Sequence, residues 1–229
     1  MVSKNLTTTL LLFTTFLFIS GSISAVHSSP RLNATTKDLE FVRTSCNVTQ
    51  YPDLCFKSLA GYASTVHESP ARLTKVSVDV AILEAKSTVV FLSRLSRSAP
   101  EVKNCVSYVR YALDSMRDDC LPILRNIIRG GGVAAALSPA APPSSEVFSN
   151  QMDDVITYMS TVITFEETCT DEYEDEEGKV KTVVCDRVNK LKITMMMLRP
   201  HVELVRYANT CKCKFEPMLE ALAREIDNQ

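Results

Sequence analysis

The chain has 229 residues, 45% of them hydrophobic, and a formal net charge of −2. A chain without an excess of basic residues is a poor nucleic-acid binder, and the absence of Trp with only 7% aromatic residues argues against a stacking platform for bases or sugars. Six glycines, three of them adjacent at 130–132, are too few for the turns of a β-sandwich or barrel and favour a helical protein.

Residues 1–25 are typical of a secretory signal peptide. Lys4 provides the positive charge, residues 10–19 form an apolar run, and small residues around Ser24 and Ala25 fit a cleavage site. An apolar run of about ten residues is short for a bilayer span, so we expect a secreted protein with no membrane anchor after cleavage. Two Asn-X-Thr sequons follow, and we expect glycosylation at Asn33 and Asn47.

Two short helices and four longer amphipathic helices are predicted downstream. Residues 36–46 and 54–64 form the short pair, separated at Tyr51-Pro52-Asp53, where Pro fits the first turn of a helix. In the longer helices, apolar residues recur every three or four positions, as in a bundle. The predicted core positions are Leu73, Val76, Val80, Leu83 and Val90, then Val102, Cys105, Val109, Ala112, Met116, Cys120, Ile123 and Ile127, then Met152, Val155, Met159, Val162 and Cys169, and finally Val184, Val188, Leu191, Met195, Leu198, Val202 and Val205.

Four such stripes without strand-like alternation predict an all-α, up-and-down four-helix bundle preceded by an N-terminal helical hairpin. The bundle domain covers residues 36–209, and residues 210–229 form a C-terminal extension of unknown role. The Gly-, Ala- and Pro-rich segment 130–145 is a linker between the second and third bundle helices. Residues 170–179 are an acidic loop without the ligand spacing of an EF-hand. Pro200 lies inside the fourth stripe, where we expect it to kink or interrupt the helix.

Eight cysteines in a secreted chain predict disulfides, but eight cysteines allow 105 pairings. A bridge between Cys46 and Cys55 would join the two helices of the hairpin. Cys105 and Cys120 lie fifteen residues apart, about 60° around a helix, so both face nearly the same side of the second bundle helix. From the residues alone, either of these two cysteines is a partner for Cys169.

The sequence lacks the motifs of common enzymes. It contains no GxSxG or HExxH motif, and the glycines at 130–132 are not followed by the Lys and Ser/Thr of a phosphate-binding loop. Cys211 and Cys213 have no second pair with metal-ligand spacing. We therefore predict no catalytic residues, no metal and no cofactor. A small helical lipid carrier with eight cysteines is an alternative class, although such carriers need adjacent cysteines, which this chain lacks.

Three segments carry recognisable motifs. Residues 45–59, SCNVTQYPDLCFKSL, have two cysteines flanking a Tyr-Pro-x-x-Cys corner. Residues 105–117 begin with Cys and contain an Ala-x-Asp segment, and residues 155–171 end in Thr-Cys-x-Asp. In this order they resemble the hairpin and the second and third bundle helices of the plant invertase and pectin methylesterase inhibitor family. The sequence departs from the family at Tyr158, where Trp is usual, and around Pro200.

The resemblance implies the disulfides Cys46–Cys55 and Cys105–Cys169, with Cys120–Cys169 as the alternative to the second. A fifth cysteine, often unpaired in the family, matches Cys185. The cysteines whose pairing stays open are Cys120, Cys185, Cys211 and Cys213.

The resemblance also implies a function in the apoplast or cell wall. The chain would bind pectin methylesterase one-to-one, cover its substrate cleft and so regulate pectin methylesterification, with acid invertase as the alternative target. We expect the interface on the exposed side of the second and third bundle helices, because polar and acidic groups suit a cleft that receives an acidic polymer. The expected contact residues are Thr164, Glu166, Glu167, Thr168, Asp171, Ser107, Arg110 and Asp114.

Overall fold

The computed structural model describes residues 34–129, 145–173 and 178–211, and all regular structure within these ranges is helical. The predicted signal peptide, Asn33, the linker and the chain beyond residue 211 lie outside the described residues. None of the described helices combines the length and hydrophobicity that a bilayer-spanning segment requires. The helices are α1 (Thr36–Cys46), α2 (Pro52–Leu59), α3 (Ala63–Val66), α4 (Pro70–Leu95), α5 (Lys103–Asp114), α6 (Leu121–Arg129), α7 (Ser145–Asp171) and α8 (Lys179–Cys211).

Four long helical segments form a bundle in which α4, α5 with α6, α7 and α8 follow one another around a shared core. The neighbouring pairs α5 with α7 and α4 with α8 run antiparallel. Cys105 near the start of α5 meets Cys169 near the end of α7, and Thr74 near the start of α4 hydrogen-bonds to residue 201 towards the end of α8. The prediction of an all-α bundle preceded by a disulfide-linked hairpin is therefore confirmed.

Local sequence signals set the starts of the helices. At α1, the Thr35 hydroxyl accepts a hydrogen bond from the Asp38 backbone N–H at 3.1 Å, and the Asp38 carboxylate accepts one from the Thr35 backbone N–H at 3.0 Å. This reciprocal pair satisfies two N–H groups that the helix leaves without partners. Pro52 and Pro70 occupy the first positions of α2 and α4, where no N–H is needed, and Ser69 caps α4.

The predicted core stripe of α4 is wrong in its second half. Leu83 and Val90 are 48% and 50% exposed, whereas Ala81, Ala85 and Thr88 are buried. Ile82 and Leu92 are buried as well, so the buried side of α4 is rotated away from Leu83 and Val90, and small side chains on it allow close approach between helices. The stripes of the second and third bundle helices are buried apart from Ile123, which is half-buried, and the stripe of α8 is buried at every position whose side chain is described.

Helix α8 continues through Pro200, so of the two predicted effects an interruption is wrong, whereas a kink stays a prediction. Proline lacks the N–H that would bond to the preceding turn. A side chain from the neighbouring helix provides another hydrogen bond at this level, because the Thr74 hydroxyl donates to the His201 backbone carbonyl at 2.9 Å. Packing against α4 thus supports the helix where its own backbone bonding is weakest.

The disulfides Cys46–Cys55 and Cys105–Cys169 are present, as the family resemblance implied. The alternative partner Cys120 is a buried free thiol, and Cys185 is a half-buried free thiol. Cys120 shares its side of the helix with Cys105 but lies about 22 Å further along the axis, at 1.5 Å per residue. In an antiparallel pair, only the cysteine at the start of α5 reaches the end of α7.

Candidate partner-binding face

Helices α5 and α7 lie side by side, and polar contacts add to the disulfide that joins them. The Tyr108 hydroxyl and the Asn104 side-chain amide both donate to Glu172 Oε1, at 3.1 and 3.2 Å. The hydrogen bond to Glu172 and its negative charge raise the pKa of Tyr108. Beside them, the Tyr173 hydroxyl donates to the Glu101 backbone carbonyl at 3.2 Å. This end of the helix pair is therefore fixed by covalent and polar contacts together.

An aromatic pair lies further along the same junction. The ring centroids of Tyr111 on α5 and Phe165 on α7 are 5.8 Å apart, with an interplanar angle of 36°. Phe165 packs against the core, whereas Tyr111 is 59% exposed. Tyr111 was not among the contact residues predicted from the sequence. Its position in the sequence could have indicated its place, because it lies three residues after Tyr108 and seven after Asn104. This spacing puts all three residues on the side of α5 that borders α7.

The expected contact residues of α5 lie at its surface. Ser107 and Arg110 are exposed, and Asp114 is half-buried. Asp114 pairs with Arg117 at 3.1 Å, and Arg117 pairs in turn with Asp118 at 2.8 Å. The Asp118 side chain keeps the Arg117 pKa raised, and Arg117 keeps the Asp118 pKa lowered, so both stay charged.

On α7, four of the five expected contact residues are accessible. Thr164, Glu167 and Asp171 are exposed, and Thr168 is half-buried. The Thr164 and Thr168 hydroxyls donate to backbone carbonyls one turn earlier, at 3.2 and 2.8 Å. Glu167 accepts a hydrogen bond from Lys192 of α8 at 2.9 Å, so it lies at the α8 edge of the surface. We call the exposed sides of Lys103–Asp114 and Ser145–Asp171 the α5/α7 face.

Glu166 is the exception, and its expected exposure is wrong. The side chain is fully buried, and neither carboxylate oxygen has a hydrogen-bond partner among the described residues. Burial raises its pKa from 4.5 to about 9, so the group is neutral at pH 7. The sequence held a signal for this position, because Glu166 fills the gap between Val162 and Cys169 in the core stripe of α7.

The charge of α7 has one sign. The helix contains six acidic residues and no Lys, Arg or His. Glu166 is neutral and adds nothing to this negative charge. Exposed acidic residues that do carry it include Asp154, Glu167 and Asp171. The α5/α7 face therefore combines an acidic helix with one exposed aromatic ring.

A second polar cluster, around His201, is structural. His201 is buried, with Nδ1 3.0 Å from the Ser77 hydroxyl and Nε2 3.8 Å from Cys55 Sγ. Burial lowers its pKa from 6.5 to about 4, so the imidazole is neutral at pH 7. Its ring nitrogen lies within 4.8 Å of both Cys46 and Cys55 sulfurs, but these sulfurs form a disulfide and are not metal-binding thiolates. The cluster joins the hairpin to the bundle.

An apolar groove of about 700 Å³ lies between α2, α4 and α8. Leu54 and Leu83 line it and are 43% and 48% exposed. The groove is thus open at the surface, whereas a lipid carrier encloses its ligand. It gives no support to the carrier alternative.

Comparison with known proteins places the chain among plant inhibitors. Residues 40–199 match the family described as plant invertase/pectin methylesterase inhibitor. Pectinesterase inhibitor 11 of Arabidopsis thaliana is 30% identical over 186 residues, which cover 78% of this chain and 88% of the relative. Pectinesterase inhibitor 9 of the same plant is 28% identical over 182 residues, which cover 75% and 83%.

A solved structure is also similar, the crystal structure of mutant form A of a pectin methylesterase inhibitor from Arabidopsis. It is 14% identical, covers 69% of this chain and 92% of that chain, and has a TM-score of 0.42. This TM-score is too low to support an argument about the fold, so the family assignment depends on the sequence matches.

Proposed function

The chain belongs to the plant invertase/pectin methylesterase inhibitor family, and from this premise we propose that it binds pectin methylesterase one-to-one and blocks the substrate cleft. The family consists of inhibitors, so the prediction of a binding protein rather than an enzyme is confirmed. The two relatives named above are pectinesterase inhibitors, which favours pectin methylesterase over acid invertase as the target.

The observation that carries this proposal is the α5/α7 face. It is held by the Cys105–Cys169 disulfide and by the hydrogen bonds of Tyr108 and Asn104 to Glu172. A surface that is already rigid loses little conformational entropy when it docks, so more of the contact energy appears as affinity. One such face per chain supports one-to-one binding.

The charge of the face supports the same target. Pectin methylesterase releases carboxylates along a sugar polymer, so its cleft must accommodate negative charge. Asp171 and Glu167 on α7, with Asp114 on α5, present carboxylates to such a cleft. Complementary charge mainly accelerates association and excludes wrong partners. Glu166 takes no direct part, because its carboxyl group is buried and neutral.

We propose secretion to the apoplast, where the inhibitor would regulate pectin methylesterification in the cell wall. Residues 1–25 would be removed, residues 36–209 would form the inhibitor domain, and residues 210–229 would be an extension of unknown role. Asn33 and Asn47 are the proposed glycosylation sites. Asn47 is exposed at the end of α1, so a glycan there would not disturb the core.

A titration of two enzymes tests the proposal. The purified secreted protein is added to a plant pectin methylesterase and, separately, to an acid invertase at fixed concentration. We expect esterase activity to fall linearly to an end point at one inhibitor per enzyme, with invertase activity unchanged. Inhibition of invertase alone would refute the assignment.

A pair of charge reversals tests the location of the interface. Asp171→Lys on the face should weaken esterase inhibition about tenfold, mainly through slower association. Glu40→Lys makes the same charge change at an exposed position of α1 and should leave inhibition unchanged. Equal effects of the two variants would show that net charge, and not the α5/α7 face, governs binding.

A further inference from the structure

We propose that Tyr111 anchors the α5/α7 face and that its ring takes the place of a sugar ring in the substrate cleft of the target. This inference rests on the proposed function and adds to it the residue that enters the cleft and the ligand that it imitates.

The exposure of Tyr111 is the first observation. At 59%, it is the most exposed large hydrophobic side chain among the described residues. An aromatic ring exposed to this extent leaves apolar area in water, and partner proteins commonly bury such rings. Its hydroxyl makes no hydrogen bond to the described residues, so it is available to groups of a partner.

The support beneath the ring is the second observation. Phe165 packs against the core and lies 5.8 Å from the Tyr111 ring centroid, across the junction that the Cys105–Cys169 disulfide closes. The ring is therefore held in place before binding. Residues that dominate protein interfaces are often Tyr near the centre of a rigid patch, surrounded by contacts of small individual effect.

Three residues with hydroxyl groups lie within four positions of Phe165 on α7, and Phe165 is the residue whose ring contacts the Tyr111 ring. Thr161, Thr164 and Thr168 on α7 each donate their hydroxyl hydrogen to a backbone carbonyl one turn earlier, at 3.0, 3.2 and 2.8 Å. Their oxygens keep free lone pairs and can accept hydrogen bonds from a partner. Asp171, six residues after Phe165, is exposed and adds a carboxylate further along α7.

Tyr111 offers a six-membered ring with a hydroxyl group, and the exposed side of α7 offers oxygen acceptors and a carboxylate, which are groups that a uronic acid residue also presents within a polymer. A cleft that binds such a polymer offers donors and positive charge to its oxygens and an apolar surface to its ring faces. Tyr111 and its neighbours meet both requirements. The Tyr111 ring would therefore occupy the position of one sugar ring of the polymer in the cleft.

The test measures the dissociation constant of the esterase complex for three variants. Tyr111→Ala removes the ring and should raise the dissociation constant about 30-fold or more, as for a dominant interface residue. Tyr111→Phe keeps the ring and should raise it by less than about fivefold. Leu83→Ala is the matched control, because it truncates an exposed hydrophobic side chain of α4, outside the face, and should have no effect.

Competition with a uronic acid oligomer is the second arm. A galacturonate hexamer in excess should slow binding of the unchanged protein to the esterase, because both occupy the cleft. Circular dichroism and thermal unfolding of each variant check that the fold is retained. If Tyr111→Ala does not fold, Tyr111→Leu takes its place, because it removes the aromatic ring but keeps an apolar side chain, and it should raise the dissociation constant about tenfold or more.

The outcomes separate this inference from the proposed function. If the unchanged protein does not inhibit the esterase, the proposed function fails. If it inhibits but folded Tyr111→Ala binds as tightly as the unchanged protein, only the role of Tyr111 is overturned. If the hexamer does not compete, the inhibitor does not occupy the cleft and the proposed function fails in its mechanism.

Discussion

Replacing Glu166 with Gln should remove the loss of stability that accompanies a rise in pH above 4.5. The unfolded chain has a carboxyl group with the ordinary pKa of 4.5, whereas burial raises the pKa in the folded protein to about 9. Below pH 4.5 both states hold the proton. Between pH 4.5 and 9 only the folded state keeps it, so the free energy of unfolding falls as the pH rises.

The magnitude follows from these two pKa values. Each pH unit in this window costs about 1.4 kcal/mol, so the loss between pH 4.5 and pH 7 is about 3 kcal/mol. Glutamine has nearly the shape of the protonated acid but does not ionise. Glu166→Gln should therefore match the unchanged protein near pH 4.5 and exceed it by about 3 kcal/mol at pH 7.

The assay is urea unfolding at pH 4.5, 5.5, 7 and 8 with the disulfides intact. Glu40→Gln is the control, since it makes the same chemical change at an exposed position of α1, away from the charges that act on Glu166, and it should not remove the loss of stability with rising pH. If Glu166→Gln and the unchanged protein show the same pH dependence, Glu166 is ionised in the folded state and the reasoning is wrong.

Two further predictions concern stability. The pKa of His201 is lowered in the folded protein, so its contribution to stability is complete above pH 6.5 and is lost as the pH falls towards 4. His201→Gln should therefore lose less stability between pH 6.5 and pH 4, measured by urea unfolding. The same loss in the variant and the unchanged protein would contradict this prediction. The disulfides differ in the length of chain that they close, 64 residues for Cys105–Cys169 and 9 residues for Cys46–Cys55. From the entropy of loop closure, replacing the first pair with Ala should lower the free energy of unfolding by about 4 kcal/mol, and replacing the second pair by about 3 kcal/mol. A larger loss from the short loop would contradict this estimate.

Much of the fold could be predicted from the spacing of hydrophobic residues along the chain. The stripe from Met152 to Cys169 predicted the buried side of α7, and the family resemblance implied both disulfides. The stripe of α4 failed because periodicity ranks positions by hydrophobicity, while close helix packing selected the small residues Ala81 and Ala85 over Leu83.

The residues of the candidate face could be predicted only in part from the sequence. Sequence position indicated that Thr164 and Asp171 are exposed, but chemical character alone suggested the same for Glu166, which is buried on the core side of α7. Tyr111 drew no attention, because its significance comes from Phe165, a residue of another helix. A contact between two helices depends on how each helix is rotated about its axis and how far the two are shifted along each other. The sequence of either helix alone does not give this relative rotation or shift.

The amino-acid sequence by itself determined the class of fold, the order of the helices and the family. These follow from repeats of three and four residues and from short motifs, which are local. Tertiary structure alone decided that Glu166 is enclosed without a hydrogen-bond partner among the described residues and that Tyr111 lies against Phe165. It also chose Cys105 over Cys120 as the partner of Cys169, a choice that helical periodicity had left open. The physical reason is that helical periodicity gives the angle of a side chain around its own axis, whereas a contact also requires matching height and distance between two axes.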